Sequence, residues 1–229
     1  MNILLYCPTM PCPPFVHPAT MAAIWALEWD DPIDVMFGWQ VDGDSAHPYD
    51  DINDKYNRAR DTVLAGDYDA LLTVEADMLI PPDTLQRLAA VDADVAYGLY
   101  CSRHNRRGRP DGHKWLAFQY ASAAASISWS AHPASAIRRK VWGKVKETHG
   151  LGFGCTLIHR RVLERVAFRT HPTHAVSNDW MFSLDCQAHG FRQAHDFGLL
   201  CGHILSDGNQ AIWPDIDAQN LYLIREVSC

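Results

Sequence analysis

The first 54 residues contain no lysine or arginine, and the first glycine of the chain is Gly38. Each absence excludes something. A secretory leader opens on a basic stretch, so "MNILLYCPTMPCPP" is not expected to be one. A first glycine at position 38 argues against the glycine-rich loop that sugar nucleotidyltransferases place after their first strand. No G-x-x-x-x-G-K-[ST] occurs, and the later cluster "GLGFG" follows no convincing strand, which removes P-loop and dinucleotide-binding readings. No apolar run approaches the roughly 20 residues that span a bilayer, so a cytoplasmic location without stable membrane anchoring is expected. The seven cysteines are odd in number and scattered, which fits reduced thiols better than a disulfide framework. Cys7, Cys12 and His17 could be drawn as a zinc cluster, but no second ligand pair completes it.

What is present describes a folded domain. With 48% hydrophobic and 21% charged residues over a length of 229, the chain can bury one substantial core and is unlike a disordered segment. No stretch reads as an interdomain linker. The net charge of -7 hides an asymmetry. Nine acids and no bases occupy residues 1–54, whereas residues 102–146 carry ten bases against Asp111 alone. A concentrated basic segment can steer an anionic partner to one face even of an acidic protein.

Hydrophobic patterning alternates strands with helices. "NILLYC" and "IDVMFGW" read as strands, with a helix over "ATMAAIWALEW" between them. "NDKYNRARDTVLAG" reads as a helix capped by Asp54 and closed by Gly66. The strand "ALLTV" follows, then a helix begun by Pro81 and Pro82, then the strand "DVAYGLYC". Residues 104–149 lose periodicity and read as irregular. Beyond them come the strand of "GLGFGCTLIHRRVLERV" and a helix over "SNDWMFSLDCQAHG", with Ser177 as cap and Met181, Leu184 and Ala188 facing inward. "FGLLCGHIL" is expected as the last strand and "DAQNLYLIREV" as a terminal helix. Such alternation predicts an α/β fold with a mainly parallel central sheet flanked by helices.

Two carboxylates stand where the apolar strand "ALLTV" ends. Ligands of open α/β sheets bind at the carboxyl ends of strands, and Glu75 and Asp77, two apart in extended chain, would face one ligand together. Their repulsion calls for a cation or hydrogen-bond donors. The plainer alternative is a pair of solvated acids at a strand end.

In this order, "ARD" at 59–61, "LLTVEADM", "PPDTLQRL", "GLGFGCTLIHRRVLERV", "NDWMFSLDCQAHGF" and "CGHI" resemble the motifs of GT-A glycosyltransferases. The likeness is to the small family-2-like enzymes of bacteria and bacteriophages and covers most of residues 1–204 outside the basic segment. It departs from their pattern at Glu75, which stands where the first aspartate of D-x-D is usual, and at Asp61, where an asparagine is usual. The resemblance implies a single GT-A domain. A Rossmann-like nucleotide-sugar-binding part would occupy about 1–103, and an acceptor-binding, catalytic part about 104–229.

It implies further that Asp77 and His203 ligate Mn²⁺ or Mg²⁺, with Glu75 on the metal, a metal-bound water or the nucleotide ribose. Asp179 would be the general base of an inverting transfer. Pro8, Thr9, Arg60, Glu75, Ala76 and Asp77 would bind the nucleotide-sugar, with a UDP-sugar expected, and Arg103, Gly152 and Trp180 the acceptor. Each role has an ordinary structural alternative: a core histidine for His203, a first-turn acid for Asp179, a solvent-facing side chain for Arg60. A binding module that kept the fold without turnover is the non-enzymatic alternative, and the retention of Asp77 and Asp179 speaks against it.

The basic segment 102–146 is interleaved with Trp115, Phe118, Tyr120, Trp129 and Trp142. Bases that track phosphates and aromatics that stack on nucleobases would suit DNA, and relatives of this fold include enzymes that glycosylate hydroxymethylated pyrimidines in phage DNA. Flipping the base out of the duplex would give access to such a hydroxyl. A solvated basic loop with core aromatics is the alternative, as is a glycan, lipid-linked or protein acceptor.

Overall fold

A computed structural model of the chain describes residues 1–10, 13–38, 50–103, 115, 140–150, 152–171, 177–218 and 221–227. In chain order its elements are β1 (Ile3–Pro8), α1 (Pro18–Trp25), β2 (Ile33–Gly38), α2 (Asp50–Ala65), β3 (Ala70–Val74), β4 (Met78–Leu79) and α3 (Thr84–Ala89). They continue with β5 (Val95–Leu99), β6 (Val145–Glu147), β7 (Cys155–His159), α4 (Arg160–Leu163), α5 (Asn178–Ala188), β8 (Gln193–Leu200), β9 (Gly202–Ile204), β10 (Gln210–Pro214) and β11 (Tyr222–Glu226).

The larger sheet has the order β2-β1-β3-β7-β5-β8-β6. β2, β1, β3, β5 and β8 run one way, while β7 and the edge strand β6 run against them. This is the expected α/β sheet, with an antiparallel strand inserted between β3 and β5. Its central strands are apolar runs because both faces are covered. Ile3, Leu5, Leu72 and Val74 face one core with Ile24 of α1 and Leu85 and Leu88 of α3. Leu4, Tyr6 and Leu71 face the other with Tyr56, Ala59 and Val63 of α2, Val162 and Leu163 of α4, and Phe182 and Cys186 of α5. Fully burying each large aliphatic side chain stabilises by about 1.5–3 kcal/mol.

A second sheet, β11-β10-β9-β4, was not foreseen. "FGLLCGHIL" is not the last strand but two, β8 and β9, and the expected terminal helix is the strand β11 paired antiparallel with β10. Tyr222 to Glu226 carries β-favouring Tyr and Ile, and pairing across the hairpin decides over helix propensity.

Helix boundaries also shift. α2 starts at Asp50, so Asp54 lies inside it instead of capping it, and the first turn gains Asp50 and Asp51, which suit a helix N-terminus. α3 starts at Thr84, because Pro81 and Pro82 form the turn ahead of it. In α5 the buried face is Trp180, Met181, Phe182, Ser183 and Cys186, whereas Leu184 is half-buried and Ala188 exposed. Gly190, at φ +76°, ends α5: its N–H donates to Gln187 O, and the N–H of Phe191 to Cys186 O.

Candidate active site

β3 stops at Val74, and the chain turns through Glu75, Ala76 and Asp77 before Met78 enters β4. The N–H of Met78 closes the turn on the Glu75 carbonyl at 3.1 Å. A turn, not strand alternation, therefore brings the two carboxylates together. The backbone N–H of His17, ahead of α1, donates to the Ala76 carbonyl at 2.9 Å and ties the turn down from outside.

The second sheet supplies the partner. β4 pairs with β9 so that Met78 lies opposite His203, and the N–H of Ile204 donates to the Asp77 carbonyl at 2.8 Å. That ladder sets His203 Nε2 3.5 Å from Asp77 Oδ2. On the other side of the ring, Nδ1 lies 2.8 Å from the Cys101 carbonyl. A carbonyl only accepts, so Nδ1 donates and Nε2 is turned toward the acids. Glu75, Asp77 and His203 each offer one ligand atom within 4.8 Å of the others. The guanidinium of Arg103 also pairs with Asp77 Oδ2.

The three charges act on one another. Burial, aided by the neighbouring Asp77 carboxylate, raises Glu75 to about 7. Asp77 goes the other way: burial opposes its ionisation, but the hydrogen bond and charge of His203, with Arg103, hold it below the usual carboxylate range. Burial opposes a charged His203 too, and Asp77 outweighs it, raising the imidazole. Two carboxylates and an imidazole oriented by a backbone carbonyl are a donor set that could hold a metal ion.

Asp179 sits in the first turn of α5, where its Oδ1 accepts from the N–H of Trp180 at 2.7 Å. Burial raises its pKa, against hydrogen bonds from the Ser177 side chain and from the backbone of Trp180 and Gly152 that favour the carboxylate. Gly152 has φ +89°, and a Cβ there would run into the Tyr100 hydroxyl, which itself accepts from the N–H of Gly154 at 3.1 Å. The glycine-rich turn is thus shaped to let Tyr100 and the Gly152 backbone stand close behind the acids.

Pro8, Thr9, Glu75, Ala76, Asp77, Arg103, Asp179 and His203 all line one cleft of about 530 Å³. Gly152 and Trp180 stand behind it and reach it through Asp179. Arg60 does not join them. Its Nε donates to the Leu163 carbonyl at 2.7 Å and its Nη1 contacts Asp61, so it ties α2 to α4 on another face. Lys55, Tyr56, Tyr100, Phe153 and Asn178 line the same cleft and were not anticipated. For Lys55 and Tyr56 the available signal was their position one turn after Ile52 on the inward face of α2. For Asn178 it was adjacency to Asp179.

Trp115 is 3% exposed, its ring packs 5.4 Å from that of Trp142, and its Nε1–H donates to the Leu221 carbonyl at 2.6 Å. It is a core residue and not a stacking platform for a nucleobase. Of the other aromatics proposed for DNA, Phe118, Tyr120 and Trp129 lie outside the described residues, as do Arg106, Arg107, Arg109, Lys114, Arg138 and Arg139. Cys12 of the imagined zinc cluster also lies outside them, and Cys7 is buried and unbridged. Among the described residues, no helix is long and apolar enough to cross a membrane.

No protein-family model matches the chain, and no curated protein sequence does. Among solved structures, A197 from STIV superposes with a TM-score of 0.56 at 18% identity, over 92% of this chain and 89% of that one. The two share a fold. S. aureus TarS 1–349 gives a TM-score of 0.47 at 13% identity, over 85% of this chain and 58% of that one. The same protein in complex with UDP-GlcNAc gives 0.44 at 12% identity, with the same coverages.

Proposed function

We propose that this cleft moves a sugar from a nucleotide-sugar to an acceptor hydroxyl, with inversion at the anomeric carbon. The observation that carries the reading is the meeting, in one cleft, of the Glu75, Asp77 and His203 cluster with a recessed carboxylate at the start of α5. The upward shift of Asp179 suits a general base, which is most effective when its pKa approaches the working pH. Asp179 takes the proton of the acceptor hydroxyl as that oxygen bonds to the anomeric carbon, and the carbon–oxygen bond to the diphosphate breaks with its electron pair leaving on phosphate. Glu75, Asp77 and His203 would hold Mn²⁺ or Mg²⁺, which when bound supplies positive charge to the leaving diphosphate. Pro8 and Thr9, which line the cleft where β1 ends, are assigned to the nucleobase, and UDP is the nucleotide to try first. Arg103, paired with Asp77, is assigned to the leaving-group side instead of the acceptor. Gly152 and Trp180 act on the acceptor only by holding Asp179.

For the acceptor, the reading is a hydroxymethylated pyrimidine in DNA, supported by the basic composition of residues 102–146 alone. The test is transfer from UDP- and GDP-sugars with Mn²⁺ to hydroxymethylated DNA, plain DNA and no acceptor. Labelling of the hydroxymethylated DNA is expected. No binding to duplex DNA even at low salt removes the DNA acceptor, leaving glycan, lipid-linked and protein hydroxyls.

A further inference from the structure

Lys55 is the feature of the cleft that the proposed chemistry leaves without a task. It lies on α2 beside Tyr56, is 8% exposed and lines the cleft wall. Among the described residues no carboxylate, carbonyl or hydroxyl pairs with it, whereas the other cation of the wall, Arg103, is paired with Asp77. Burial lowers its pKa, and Asp51, one turn earlier, acts only against that shift. A lysine mostly buried in a cleft wall, with no hydrogen-bonded anion among the described residues, carries part of the desolvation cost of its charge without compensation from them. A group kept in that condition on the wall of a substrate-sized cleft fits a counter-charge that arrives with the ligand, at the stability cost that functional sites commonly carry.

We propose that Lys55 is an anion-binding residue of this cleft, holding a phosphate or carboxylate oxygen of the bound substrate. The proposal rests on reading the cleft as a substrate site, but not on the reaction assigned to it. The anion has two sources: the diphosphate of the donor, or an acidic group on the acceptor. A lysine suits either, since its ammonium is a compact point charge with three donors and no demand for bidentate geometry.

The test is calorimetric titration in EDTA, with inorganic pyrophosphate, UDP and uridine as probes, of wild type, Lys55→Met and Lys55→Arg. Loss of a charged hydrogen bond predicts at least about tenfold weaker pyrophosphate binding in Lys55→Met, and Lys55→Arg should stay near wild type. If UDP weakens along with pyrophosphate while uridine does not, the donor diphosphate is the source. If pyrophosphate weakens and UDP does not, the anion belongs to the acceptor. Without ligand, Lys55→Met should melt no lower than wild type, because a partly desolvated charge with no anion bonded to it has been removed.

Wild-type pyrophosphate affinity in Lys55→Met, or no pyrophosphate binding by wild type, would overturn the proposal. So would a lowered Tm in both Lys55→Met and Lys55→Gln, which would mark the ammonium as structural. Pyrophosphate binding through Lys55 in a protein that consumes no nucleotide-sugar would refute the transferase reading and leave this site standing.

Discussion

His203 Nε2 faces Asp77 Oδ2 at 3.5 Å because β9 pairs with β4 in the register that puts Met78 opposite His203. The raised imidazole means that the ion-free ring keeps its proton to a higher pH than an ordinary histidine at about 6.5. That proton must leave before Nε2 can ligate a metal. Mn²⁺ affinity should therefore rise with pH through the His203 pKa and level off above it, with proton release on binding. Titrations in buffers of different ionisation enthalpy would detect the released proton. For stability of the ion-free protein, the His203–Asp77 pair contributes fully below the unfolded histidine pKa and is lost as pH rises through the folded one.

Glu75 acts in the same direction over a lower pH range. Its folded pKa, about 7, lies above the unfolded value, so the ion-free protein loses stability as pH climbs from the ordinary glutamate range toward neutrality. Glu75→Gln removes that loss. In EDTA its Tm should exceed that of wild type by a margin that grows over this range, and saturating Mn²⁺ should shrink the margin. Melting curves across pH check both.

Asp179→Asn keeps an oxygen for the N–H of Trp180 but cannot accept a proton. Nucleotide binding should stay within about twofold of wild type while the transfer rate falls by about 10²–10⁴. Equal loss of both would assign Asp179 to the architecture of α5 instead.

Arg60→Gln should leave UDP affinity unchanged and destabilise the fold by about 1–2 kcal/mol, because it removes a charged donor from the Leu163 and Val166 carbonyls. Denaturant unfolding and UDP titration on one preparation separate the two effects. A selective loss of UDP binding would restore Arg60 to the nucleotide site.

Buried runs such as Leu71–Val74 made the central sheet legible in the sequence, since only a doubly covered strand can be apolar on both faces. The acids at its end were legible for the same reason: carboxylates beside a core strand need a purpose. The basis of their convergence was not. A two-residue β4 carries too little periodicity to announce itself, and its partner β9 is fixed by pairing between distant segments. Hence His203 could be placed beside Asp77 from motif order, while the second sheet that holds it there could not. Arg60 was misplaced because a helix face cannot be chosen from an arginine alone, and Lys55 was overlooked because lysine in a helix is ordinarily solvated.

The central claim is that the acidic turn, His203 and Asp179 form one centre that consumes a nucleotide-sugar. The most direct measurement is Mn²⁺-dependent UDP release from a panel of UDP-sugars by wild type and by Asp77→Ala, with folding of both verified by circular dichroism. The account predicts release by wild type with at least one donor, suppressed by EDTA and absent in Asp77→Ala. Equal, EDTA-insensitive release by both proteins would contradict it.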